Sequence, residues 1–160
     1  SFTELFASIR LVRNLRAIAG LKPSQEIPVR FITPKKELAH TLQKLKSEIK
    51  VLTRANQVEI LSPEDSSKLP SVKALAGVSG ELEVLLPIEG LVDLDALAIR
   101  LEKDLSKAEK EIKTLSARLS NSNFVEKAPS QVVIECRSSL AEAEAQADLV
   151  RKRLFDLGMT

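Results

Sequence analysis

The sequence predicts a small α+β module followed by a long antiparallel two-helix coiled coil, a helical hairpin. Three observations lead there. Leu94, Ala98, Leu101, Leu105, Ala108, Ile112, Leu115 and Leu119 recur at alternating steps of four and three residues, the heptad seam of a coiled-coil helix. Val133, Cys136, Leu140, Ala143, Ala147, Val150, Leu154 and Leu157 repeat that pattern with steps of three and four. Before residue 90 the pattern differs: short apolar runs bounded by Pro and Gly alternate with helical spacing, as in strand–helix–strand units.

The elements of the first part follow in order. Leu5, Ile9, Val12 and Leu15 or Arg16 have helical spacing, and Gly20 and Pro23 end that helix. Arg10, Arg13 and Arg16 are three apart and share one side of it. Residues 27–32 read as a strand with Val29 and Phe31 on one face. Thr33 and Pro34 fit the N-cap and first turn of a helix whose stripe is Leu38, Leu42, Leu45, Ile49 and Leu52. Residues 57–61 form a second strand, so a right-handed parallel crossover is expected. Residues 62–67 read as a loop. Strands at 72–78 and 81–86 meet at a tight turn on Ser79 and Gly80. Pro87 and Gly90 close the module, giving domains of 1–90 and 91–160.

In the second part, residues 120–130 hold the polar residues and the proline that separate the two seams. Matched seams joined by a short polar link fold back on each other as an antiparallel pair. Each helix spans roughly 27 residues, or about 40 Å, and an arm of that length is expected to project from the module. Glu102, Asp104, Glu109 and Glu111 flank the first seam; Arg137, Arg151 and Arg153 flank the second. Layering Leu105 on Val150 sets Glu102 against Arg151 and Asp104 against Arg153. It also leaves Glu109 facing Glu144.

Composition narrows the function. Apolar residues make up 44% of the chain, but there is no Trp or Tyr and only five Phe, so exposed rings for stacking on splayed bases are scarce. With a formal net charge of +2, only the placement of charge can argue for nucleic acid. The single cysteine forms no internal disulfide, and one Cys with one His is a poor metal-ligand set. The chain has neither a signal peptide nor an apolar run of the ~20 residues a membrane helix needs. It reads as a soluble intracellular protein, cytoplasmic or in an organellar stroma or matrix. It opens in helical periodicity without an initiator Met, as an excised fragment would.

No catalytic constellation is visible. His40 has no suitably spaced nucleophile or acid, the carboxylates are scattered, and no glycine-rich phosphate loop occurs. Cys136 lies on the seam and reads as a small core residue. Lys103, Lys107, Lys110 and Lys113, with Arg100, fall on the side of the first long helix away from its seam and acidic flanks. Such a stripe is either an ordinary solvated face or a strip for a phosphate backbone. Arg10, Arg13 and Arg16 admit RNA, a neighbouring domain or nearby acids.

One stretch is more specific. Leu119-Ser120-Asn121, Phe124-Val125 and Ala128-Pro129, followed by Val132-Val133, closely resemble the tip of the C-terminal coiled coil of valyl-tRNA synthetases. Pro87 to Asp93 with Arg100-Leu101, and Ile9-Arg10, Arg13, Pro23 and Ile27-Pro28-Val29, are similar to the flanking parts of that family in the same order. The resemblance implies a parent ligase that uses ATP to attach valine to tRNA, with catalytic and anticodon-binding domains upstream. It implies that residues 1–20 end the anticodon-binding helical domain. It also implies an arm that reaches the outer corner of tRNA, which favours Lys103, Lys107, Lys110 and Lys113, with Arg100 on the same side, as the RNA-facing strip. Arg10 and Arg13 are further RNA-contact candidates from their placement alone. Phe124 would either stack on an RNA loop or close the hairpin's own turn. No cofactor or metal is expected in this stretch, and a monomer is expected. The competing reading is a coiled-coil adaptor for a protein partner.

Overall fold

A computed structural model describes residues 2–159 and falls into two compact units that meet at Leu97 and Ala98. The first unit is built on a four-stranded mixed sheet. Helix α1 (Phe2–Ala19) precedes β1 (Ile27–Ile32); α2 (Lys36–Lys44) and α3 (Lys46–Thr53) lead to β2 (Ala55–Leu61). The short α4 (Pro63–Ser67) precedes β3 (Ala74–Ser79) and β4 (Leu82–Pro87). The strand order is β2-β1-β4-β3, with β1 parallel to β2 and antiparallel to β4, and β3 antiparallel to β4.

Alternation in the strands decides which face is covered. Ile27, Val29 and Phe31 of β1 and Leu82, Val84 and Leu86 of β4 are buried, while Pro28, Arg30, Glu83 and Leu85 between them are half-buried. Helix α1 lies against β3 and β4 through Ile9, Val12 and Leu15, and α2 and α3 cover β2 with Leu38, Leu42 and Ile49. Gly77 on β3 allows α1 this close: a Cβ there would stand 2.6 Å from Leu11 Cδ1. On the half-buried face, register partners Arg30 and Glu59 form an ion pair at 3.2 Å.

Four local expectations need correction. The helical stripe 38–52 is interrupted at Leu45, whose backbone (φ −100°, ψ 15°) leaves the helical region between α2 and α3. Thr33 is not an N-cap; it is buried, and its Oγ1 accepts the Lys35 N–H at 3.1 Å, so the first helical turn starts later. Residues 62–67 are a short helix rather than a loop, because Ser62 Oγ accepts the Asp65 N–H and Pro63 fits the first turn. β3 starts at Ala74, two residues later than the apolar run suggests.

The long helices α5 (Leu94–Ser120) and α7 (Ser130–Asp156) are joined by α6 (Ser122–Lys127). Asp93 Oδ1 accepts the Ala96 N–H at 3.0 Å and caps the start of α5. Within the second unit α5 and α7 pack as a hairpin. None of the sixteen seam residues read from the sequence is exposed, and Ala147 and Val150 have no accessible surface. The polar link is ordered as α6, where Asn121 Oδ1 accepts the Asn123 N–H. Phe124 folds back on the hairpin, with the Arg118 guanidinium 5.9 Å from its ring centre.

The flanking charges adopt a different pairing from the one expected. Arg151 pairs with Glu109 at 3.4 Å and with Asp148 at 3.1 Å, not with Glu102. This supplies Glu109 with a cation. Arg153 is buried against the seam; burial lowers its pKa and Asp104 opposes that shift, consistent with the expected Asp104–Arg153 proximity. Its Nε has no hydrogen-bond partner.

Candidate nucleic-acid interface

Arg100, Lys103, Lys107, Lys110 and Lys113 are all exposed on α5. Among the described residues none of them forms an ion pair; the pairs in this unit use Arg151 and Lys152. The reason lies in helix geometry. At about 100° per residue, Lys103 and Lys110 point almost directly away from the seam, beyond reach of α7's side chains. Lys107 sits nearer the edge and lines a shallow groove of about 360 Å³ with Asp104, Glu111 and Glu142. Ala108, Ser139, Ala143 and Gln146 complete its lining. The groove is polar and acid-rich. Lys103 and Lys110 lie outside this acid-rich groove, while Lys107 lines it.

Exposed apolar side chains in this unit are dispersed. Ile99 stands alone on α5; Val132, Ile134, Leu149 and Phe155 are spread along and around α7. No continuous apolar strip of the kind that marks a protein-docking face results.

In the first unit Arg10 and Arg13 are exposed on α1, whereas Arg16 is buried at 8%. The three arginines thus separate. Arg13 donates to the Leu52 carbonyl at 3.2 Å. Arg16 donates to the carbonyls of Lys22 (3.0 Å), Gln25 (2.6 Å) and Arg54 (3.5 Å). Both guanidinium groups thus meet carbonyls at the C-terminal end of α3, where the helix leaves acceptors unsatisfied and a cation is favoured. Burial, then the nearby Arg54, lowers the pKa of Arg16, which remains a cation. Helical spacing offered position 16 beside Leu15 on the apolar side of α1, but not its carbonyl partners, which lie on two other segments. Nor did it single out Arg54, which takes a left-handed backbone (φ 56°) at the end of α3.

His40 is exposed and Cys136 is a buried free thiol. Among the described residues no cluster of His, Cys, Asp and Glu could hold a metal, and no helix is long and apolar enough to cross a membrane.

Comparison with known proteins gives this surface its context. Residues 93–158 match the family model described as the valyl tRNA synthetase tRNA binding arm. The valine–tRNA ligases of Prochlorococcus marinus (strain NATL2A) and Parasynechococcus marenigrum (strain WH8102) are each 62% identical over 157 residues. That of Synechocystis sp. (strain ATCC 27184 / PCC 6803 / Kazusa) is 36% identical over 159 residues. Each comparison covers 98% of this chain but only 17% of the relative. The match takes in the α+β unit as well as the hairpin and lacks the relatives' catalytic region. The chain therefore belongs to the valine–tRNA ligase family, as the C-terminal part that carries the tRNA-binding arm.

Proposed function

We propose that the α5–α7 hairpin binds tRNA at its outer corner and so supports ATP-dependent attachment of valine, with that chemistry carried by regions outside this chain. The observation that supports this most directly is the unpaired cationic strip on α5, with Lys103 and Lys110 at its centre and Arg100, Lys107 and Lys113 around it. A strip of this kind meets phosphates and fixes orientation without reading bases. At the tip of the hairpin Phe124 is engaged by Arg118, which leaves Phe155, near the other end of α7, as the exposed ring of that unit among the described residues.

The proposal extends to the division of the chain. Residues 1–90 form a linking module and residues 91–160 the arm. Residues 1–20, which hold α1, belong with the end of an anticodon-binding helical domain. Phe2 and Phe6 support that placement: both are exposed, and their rings stack at 6.5 Å on a helix whose opposite side is already packed. The catalytic and anticodon-binding domains of the parent ligase are then the remaining partners, and the chain is a monomer in a cytosolic or organellar compartment.

Site-specific photo-crosslinking tests the arm. A crosslinker at position 103 or 110 is expected to capture folded tRNA in preference to a plain RNA hairpin, and one at position 135 on α7 is not. Equal capture from positions 103 and 135, or none from either, would remove the basis for an RNA-facing α5. Capture of a protein instead would point to the coiled-coil adaptor.

A further inference from the structure

We propose that the first unit carries a second site for the RNA backbone, formed by Arg13, Lys22, Lys50 and Arg54 around the buried Arg16. It rests on the reading of tRNA as the partner, but it lies on other elements than the α5 strip. Arg16 is the hub. By bonding to the carbonyls of Lys22, Gln25 and Arg54, it draws the loop after α1 and the end of α3 together. Arg13, one turn earlier on α1, grips the Leu52 carbonyl. Lys50, one turn before Arg54, accepts the Arg54 N–H through its own carbonyl. Lys50 and Arg54 line one depression, and the exposed Arg13 and Lys22 are tied to the same region through hydrogen bonds to the Leu52 and Lys22 carbonyls, in a chain whose formal net charge is only +2.

Among the described residues none of these cations is in an ion pair. One carboxylate, Glu26, lines the same shallow depression as Lys50 and Arg54. That depression measures about 400 Å³, and Val51 and Ala55 complete its lining.

Two features of Arg54, the C-cap of α3, carry a local cost. Arg54 holds a left-handed backbone that glycine or asparagine would occupy with less strain. Its charge also lies close enough to Arg16 to lower the latter's pKa. Local strain and like-charge crowding at an exposed position are what a phosphate would repay, since it neutralises the cluster and its oxygens accept from several donors. An apolar or acidic-pocket ligand fits nothing here, and the spread of the cations suits a backbone better than a single anion.

The test uses the whole chain, a folded tRNA transcript and a salt series, with thermal unfolding measured beside binding. Lys50→Gln with Arg54→Gly is expected to lower the slope of log affinity against log salt by roughly 1.5, about 0.7–0.9 per phosphate contact, and to weaken binding about tenfold at low salt. Arg54→Gly alone is expected to raise the unfolding temperature while weakening binding, a combination that a structural role would not produce. Arg54→Lys should restore most of the affinity. If tRNA affinity is unchanged by these variants while Lys103→Gln/Lys110→Gln reduces it, the second site is refuted and the arm reading stands. If the Lys50 and Arg54 changes act and the α5 changes do not, this site stands and the arm reading falls. No binding by the unaltered chain would overturn both.

Discussion

Replacing Arg16 by Met should unfold the first unit at markedly lower temperature. The side chain is 8% exposed, and its two short hydrogen bonds, at 2.6 Å to Gln25 and 3.0 Å to Lys22, come from an ionised donor. Bonds of that type contribute about 1.5–3 kcal/mol each, whereas the 3.5 Å contact to Arg54 adds little. Against the resulting ~3–6 kcal/mol stands the relief of a buried charge crowded by Arg54. The net loss is therefore placed near 3 kcal/mol, which for a unit of this size corresponds to roughly 12–24 °C. Met keeps the apolar stem, so the change is not a cavity effect.

Arg16→Lys separates charge from geometry. Lys22 and Gln25 share one Arg16 nitrogen, Nη2, and Arg54 takes the other, Nη1. A lysine ammonium can meet the first two but not Arg54 as well, so only about 1 kcal/mol should still be lost. Because α5 and α7 dominate helical circular dichroism, hydrogen exchange at the Val29, Phe31 and Val84 amides is the appropriate readout for the sheet. A loss below about 1 kcal/mol for Arg16→Met would show that the carbonyl contacts do not hold the loop after α1 against that helix.

Other outcomes follow from the packing. Gly77→Val should cost about 2–3 kcal/mol because its side chain would enter the space of Leu11, and Leu11→Ala in the same chain should recover part of it; denaturant unfolding of the two singles and the double checks this. Leu154→Ala, at a seam position with 2% exposure, should cost about 2–5 kcal/mol, while Ile99→Ala, at 66% exposure, should stay within about 0.5; thermal melts of the hairpin compare them. Glu109→Gln breaks an ion pair between half-exposed groups, so urea midpoints should register less than about 1 kcal/mol.

The hairpin was legible because its information is local and repeated. Sixteen seam positions, each three or four residues from the next, identify both helices and their buried sides without reference to anything distant. Their relative register was less legible. Arg151 could reach more than one acid, and its choice of Glu109 over Glu102 depends on side-chain reach across the helices rather than on seam spacing alone. In the first unit β1 was readable from its alternation, and the parallel β1–β2 pairing from the intervening helical stripe. Arg16 and Arg54 were not. Both are defined by contacts among α1, the loop after it and the end of α3, and a periodic pattern carries no information about such meetings. α4 was missed for a different reason: at 5 residues it is too short to show a period, and its start rests on one serine side chain bonding three residues ahead.

The most direct measurement is the dependence of tRNA affinity on salt for the unaltered chain and for the chain with Lys103, Lys107, Lys110 and Lys113 changed to Gln. Neutral replacements on exposed helix surface should leave folding intact, which a melt would verify. If α5 lies along the tRNA backbone, the slope should fall by roughly 2–3, with Lys107 contributing least because of its acidic neighbours. An unchanged slope with unchanged affinity would contradict the central claim and leave those lysines as solvated surface.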